Sequence, residues 1–160
     1  MILICYDGSP DSKTAIKLAG DLLGDHPAAV LTVWEPFMEV MARSPSGFGM
    51  APGMVDVGEI DSANEKSAHA RAEEGVKLAG EAGLNAQPRC RRQVTTVADA
   101  ILAEANEVGA DAIVCGSRGL TGIKSILLGS VSHAVIQHAD RPVIVVPSAE
   151  VAAARAHRHH

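Results

Sequence analysis

Gly116-Ser-Arg-Gly119-Leu-Thr-Gly-Ile-Lys-Ser-Ile-Leu-Leu-Gly129-Ser130 is the stretch around which the rest of the chain is read. Ahead of it, Asp111-Ala-Ile-Val-Cys115 is short, apolar and β-branched, the pattern of a buried strand. Behind it, Val131, Ala134 and Val135 recur at helical spacing. The order is strand, glycine-rich loop, helix. A helix start offers unpaired main-chain N–H groups and the positive end of the macrodipole, and glycines let a phosphate approach the main chain without a Cβ in the way. Ser130 lies where the helix begins, so it is either an ordinary N-cap or a phosphate contact whose hydroxyl also faces a bound Mg²⁺. Taken singly, Gly116, Gly119 and Gly129 each read as turn or cap glycines.

Two better-known phosphate loops are absent. The sequence has no Gly-x-x-x-x-Gly-Lys-Ser/Thr, and its nearest approach to Gly-x-Gly-x-x-Gly, at Gly47-Phe-Gly49, has no strand before it. The joint spacing Gly116-x-x-Gly119-x₉-Gly129-Ser130 instead resembles the nucleotide motif of the ATP-binding branch of the universal stress protein family. Ile2-Leu-Ile-Cys-Tyr-Asp7-Gly-Ser9 is similar to that family's first strand and Asp-Gly-Ser turn. Leu127-Leu-Gly-Ser-Val131 resembles its helix entry, and Arg141-Pro-Val-Ile-Val-Val146 its last strand. Together the similar segments span residues 2–147.

Composition bounds the same reading independently. A chain of 160 residues, 47% hydrophobic, is long enough for one sizeable core and short for two. With 2% aromatic residues the core must be built from Ala, Val, Ile and Leu, which suits a parallel sheet between helices. A net charge of −5 and the scarcity of rings to stack on bases argue against a nucleic-acid partner. No apolar run approaches the roughly 18 residues of a membrane span, and Met1 leads into a strand rather than a signal peptide, so no membrane partner and a cytoplasmic location are expected. Cys5, Cys90 and Cys115 are far apart with no Cys-x-x-Cys. They read as small hydrophobes, although Cys5 and Cys115 end strands and so fall near any ligand at the carboxyl ends of the sheet.

Along the chain, strands are expected near 2–6, 28–34, 88–94, 112–116 and 142–147 with helices between them, which implies a doubly wound parallel α/β sheet in one domain. The resemblance supplies the order 3-2-1-4-5. Ser9 and Pro10 open a first helix whose inner face is expected to carry Ile16, Ala19, Leu22 and Leu23. Residues 35–59 change to Pro, Gly, Met and Ser and are expected to form a long variable loop. Ser62 and Glu65 read as a capping box opening the next helix, which ends at Gly83. Arg89, Arg91 and Arg92, with Pro88, suggest a charged edge strand. Residues 1–148 make the domain, and 149–160, ending in His157-Arg-His-His160, a flexible tail of native sequence or tag remnant.

Asp7 has two readings, a turn residue bonded to its own backbone or an acceptor for a ribose diol. The resemblance implies the second. It also implies that Val33 offers its main chain to an adenine ring, that Gly119, Gly129, Ser130 and the neighbouring N–H groups of Val131 and Ser132 hold phosphates, and that Gly116 and Arg118 belong to the same site. ATP, with Mg²⁺ on Ser130, is then the expected ligand of a nucleotide-dependent regulatory module. The alternatives are an AMP or cyclic-nucleotide binder, or a weak ATPase or phosphotransferase. Arg118 and Lys124 offer a charge clamp, but only His133 stands near as a base for water, so no catalytic residue is assigned and at most slow hydrolysis is expected. The resemblance further implies a homodimer through strand 142–147.

Overall fold

The computed structural model describes residues 1–45, 53–120 and 128–158. Five strands form one all-parallel sheet: β1 (Ile2–Cys5), β2 (Ala28–Trp34), β3 (Ala86–Arg92), β4 (Ala112–Gly116) and β5 (Val143–Val146). Their order is β3-β2-β1-β4-β5, as expected. The described helices are α1 (Pro10–Leu23), α2 (Phe37–Arg43), α3 (Val57–Glu81), α4 (Val97–Glu107), α5 (Ser130–His138) and α6 (Ala149–Ala156). The chain leaves β1 for β2 on one side and returns to β4 on the other, so a crevice opens between β1 and β4 at their carboxyl ends.

Alternation along the central strands divides the core. Ile2, Ile4, Tyr6, Val30 and Val114 face Ile16 and Ala19 of α1 and Ala79 of α3. Leu3, Ala29, Leu31 and Ile113 face Ala98, Ile101 and Ala105 of α4 and Val135 of α5. Each large aliphatic side chain so buried contributes about 1.5–3 kcal/mol. The few aromatics are offset by close approach of main chains. In α3 the buried stripe is Ala68, Ala72, Gly75 and Ala79, and a Cβ on Gly75 would come within 2.6 Å of Val30 Cγ1 and 2.9 Å of a Tyr6 ring carbon.

Several local expectations need correction. In α1, Ile16 and Ala19 are buried and Leu23 packs against the same core, but Leu22 is 63% exposed because it falls on the outer face of the helix. The stretch 35–59 holds α2 and the first turn of α3; residues 46–52, including Gly47-Phe-Gly49, lie outside the described residues. Asp56, not Ser62, caps α3 by accepting the Glu59 N–H at 3.1 Å. The earlier start places Asp61 where its carboxylate accepts the Phe37 N–H at 2.7 Å and ties α2 down.

β3 is an edge strand, yet Arg89 and Arg91 reach inward to α4. Both pair with Glu104, whose side chain is 3% exposed, and both also meet Glu107. Arg92 points the other way, its guanidinium 5.8 Å from the centre of the Trp34 ring. Within the expected tail, Ala149–Ala156 form α6, because Ser148 caps a run of helix formers.

Candidate nucleotide site

The crevice between β1 and β4 deepens into a cleft of about 320 Å³, within the usual range for small-molecule sites. Asp7, Val33, Gly116, Arg118, Gly119, Gly129, Ser130, Val131 and Ser132, far apart in sequence, all border it. Leu31, Val97 and Ile101 give it an apolar wall. Cys5 and Cys115 border it too, on neighbouring strands. Burial pushes the Cys115 thiol up to about 11 and raises Cys5 well above its ordinary value, so both behave as small apolar groups at neutral pH.

Asp7 follows β1 in a turn that Gly8 makes possible at φ +82°. One carboxylate oxygen accepts the Ser9 N–H at 2.9 Å. The other faces Gly119, where a Cβ would lie 2.9 Å from it. The two readings of Asp7 are therefore compatible. Ser9 Oγ in turn accepts the Ser12 N–H at 3.2 Å, and Pro10 takes the first helical position, as the sequence suggested.

At the other rim, Gly129 is the N-cap of α5 and Ser130 is the first helical residue, so of the two readings of Ser130 the ordinary N-cap is excluded. Gly129 has no side chain with which to cap. The first-turn N–H groups of Ser130, Val131 and Ser132 precede any intrahelical acceptor, whereas the His133 N–H already bonds the Gly129 C=O at 2.9 Å. That leaves three donors at the positive end of the helix. The Ser132 hydroxyl is not among the free groups, since it lies 3.1 Å from both the Ser117 and Gly129 carbonyl oxygens, to which it donates. Val131, one of the apolar residues at helical spacing, is 37% exposed and borders the cleft, while Val135 is fully buried in the core.

The residue that organises this rim was not singled out in the sequence. Asp11, 4% exposed, accepts from Ser117 Oγ at 2.7 Å and from the Arg118 N–H at 3.1 Å, and lies 3.8 Å from Arg118 Nε. Arg118, considered as a phosphate clamp, is thus held against α1. Gly116 owes its identity to the same contact. A Cβ there would meet Asp11 Cβ at 2.8 Å and the Ser12 nitrogen at 2.9 Å, so its small size serves packing between β4 and α1. Gly129 is likewise pinned, its N–H donating to the Ser117 C=O at 2.7 Å. Lys124 and Leu127 lie outside the described residues, and His133 is exposed.

Val33 contributes through its main chain. Leu31 C=O accepts from Tyr6 N–H on the β1 side, and Trp34 C=O accepts from Gln93 N–H on the β3 side, each at 2.8 Å. Alternation therefore turns the N–H and C=O of Val33 toward the β1 side, beyond the point where β1 ends. Backbone groups so placed leave no mark in a side-chain pattern.

Residues 1–147 match the model of the Universal stress protein family. Universal stress protein YxiE of Bacillus subtilis is 33% identical over 147 residues, covering 91% of this chain and 97% of that protein. The solved structure of MJ0577, from Methanocaldococcus jannaschii, superposes with a TM-score of 0.71 at 26% identity over 91% of this chain and 94% of its own. Two neighbours below 25% identity share the fold. One is the Archaeoglobus fulgidus universal stress protein solved with dAMP, with a TM-score of 0.61, 22% identity and coverage of 91% and 95%. The other is a universal stress protein solved with cAMP, with a TM-score of 0.60, 24% identity and coverage of 92% and 96%. With its strand order, its cleft and a family match over nearly its whole length, this chain belongs to the universal stress protein family.

Proposed function

We propose that the protein is an ATP-binding regulatory module whose affinity for a downstream partner changes with nucleotide occupancy. The observation that carries this reading is the convergence of the Asp7 carboxylate on the Gly119 loop, opposite the uncapped first turn of α5. The ribose lies on Asp7, the base against Val33 and the apolar wall, and the phosphates along Gly119, Gly129 and the N–H groups of 130–132. A run of donors of that length suits more than one phosphate, which favours ATP. Relatives solved with dAMP and cAMP favour a mononucleotide as the second reading.

Among the described residues no group of three or more His, Cys, Asp or Glu side chains is arranged to hold a metal. The chain's own donor set fits Mg²⁺ only as an ion brought by the phosphates, with the Ser130 hydroxyl as its one protein ligand. Such an ion would neutralise phosphate charge. With Arg118 held by Asp11 and His133 exposed, the reading is of binding with at most slow hydrolysis. Among the described residues no helix is long and apolar enough to cross a membrane, and we read the module as cytoplasmic, without a nucleic-acid partner.

Titration calorimetry with ATP, AMP and cAMP distinguishes the two readings. In the same experiment Asp7→Ala should weaken ATP about tenfold or more while leaving 2′,3′-dideoxy-ATP within about twofold, since only the former donates ribose hydroxyls to a charged acceptor. Equal losses for both would remove Asp7 from the ribose.

The module is read as a homodimer through β5, which pairs with β4 on one side and leaves its other edge open within the chain. Ile144 packs into the α1-side core, so Val145 is the informative position. Val145→Lys should shift a dimer to monomer in sedimentation velocity, because the two-fold doubles each added charge at the contact. A variant that remains fully dimeric would exclude this edge.

A further inference from the structure

Cys5 and Cys115 stand at the carboxyl ends of the two central strands and border the cleft, yet the nucleotide reading makes no use of their thiols. The ladder between β1 and β4 pairs Leu3 with Ile113 and Ile4 with Val114, so the next step sets Cys5 beside Cys115. Their side chains share a face. Cys5 packs with Leu3 on the α4 side of the core, and Cys115 follows Ile113 of the same cluster by two residues. After burial, the charge of Cys115 is the next largest influence raising the Cys5 thiol, ahead of that of Asp7, so the two sulfurs stand within electrostatic reach. Cys90, on β3, is separated from the pair by β2.

The number of donors limits what such a pair can hold. Zinc takes four ligands and calcium or magnesium six or more, whereas among the described residues no third His, Cys, Asp or Glu completes a metal-binding group. A soft monovalent ion needs only two thiolates. A metal–thiolate bond is about 2.3 Å long, so an ion between two opposed sulfurs spans roughly 4.6 Å, close to the spacing of about 4.8 Å between neighbouring strands. The apolar wall of Leu31, Val97 and Ile101 beside the sulfurs also suits a soft ion better than a hydrated one.

We propose that Cys5 and Cys115 form a two-coordinate copper(I) site in the cleft, a metal-binding function that goes beyond the nucleotide reading. One Cu⁺ and two thiols give a bis-thiolate complex of one net negative charge and release two protons. Two sulfur–hydrogen bonds break and two copper–sulfur bonds form. Copper stays in the +1 state, so no oxidant or reductant takes part. Thiols that are neutral at pH 7 become ligands because the ion displaces their protons.

The test is an anaerobic titration of the full chain, without nucleotide, into copper(I) held by the coloured chelator bicinchoninate. Wild type should withdraw one copper per chain, with a thiolate-to-copper absorption band in the ultraviolet and two sulfur neighbours in X-ray absorption. Cys5→Ala and Cys115→Ala should each weaken copper at least about a hundredfold, more than losing a group that only orients a ligand, while Cys90→Ala leaves it within about twofold. Cys5→Ser and Cys115→Ser, closer in size to cysteine, replace the alanine variants should those fail to fold. Failure of wild type to compete with the chelator would overturn the site. So would undiminished affinity in a variant lacking either cysteine, or nitrogen neighbours contributed by His157, His159 or His160. Each of these results leaves the nucleotide reading as it stands, because no nucleotide is present.

Discussion

Asp11→Ala should lower the unfolding free energy by about 3–5 kcal/mol and abolish nucleotide binding in the same variant, as expected when one partner of a buried charged pair is removed. Asp11 lies in the first turn of α1, yet its carboxylate meets Ser117 and Arg118, more than a hundred residues later. Its loss leaves the Ser117 hydroxyl and the Arg118 N–H without their acceptor and the Arg118 side chain, 15% exposed, without the carboxylate it pairs with. The loop then has no fixed relation to α1, and through the Gly129 N–H on Ser117 C=O the start of α5 loosens with it. Asp11→Asn keeps an acceptor but not the charge and should cost about half as much. Urea denaturation with calorimetry on the same samples measures both. A loss below about 1 kcal/mol for the alanine variant would mean that the loop holds its shape without Asp11.

What could be read from the chain, and what could not, divides along physical lines. The strands were legible because each is a short, mostly apolar run between turn residues. The switch point followed from strand order, itself supplied by resemblance rather than by any pattern in this chain. Gly116, Gly119, Gly129 and Ser130 of the motif Gly116-x-x-Gly119-x₉-Gly129-Ser130 lie along one rim of the cleft. The glycines within it nonetheless differ in what constrains them, with Gly116 fitted against α1, Gly129 against Ser117 and Gly119 facing Asp7.

The misses are of two kinds. One is local competition: Ser62 and Glu65 formed a plausible capping box, but Asp56 caps equally well and begins the helix earlier, where Asp61 can hold α2. The short helix α2, with no buried residue, offers no period to detect. The other kind is contact across the sheet. Asp11 resembles any acidic residue complementing a helix N-terminus, and nothing near it in sequence announces Ser117 or Arg118. The arginines of β3 looked like edge charges because their partners Glu104 and Glu107 lie on a separate helix.

The central claim, that Asp7 and the glycine loop form one phosphate-directed nucleotide site, is tested most directly by titrating ATP into wild type and Gly119→Val. Gly119 has backbone angles open to any residue, and the atom nearest its added Cβ, at 2.9 Å, is the Asp7 carboxylate oxygen at the tip of a side chain, so the variant should fold with a melting temperature near that of wild type. The branched side chain would fill the space between Asp7 and the loop, where the phosphates approach the main chain. The expected result is measurable ATP binding by wild type and at least about a hundredfold loss in the folded variant, because several charge-assisted contacts are lost together. Undiminished ATP affinity in Gly119→Val, or no nucleotide binding by wild type, would contradict the account.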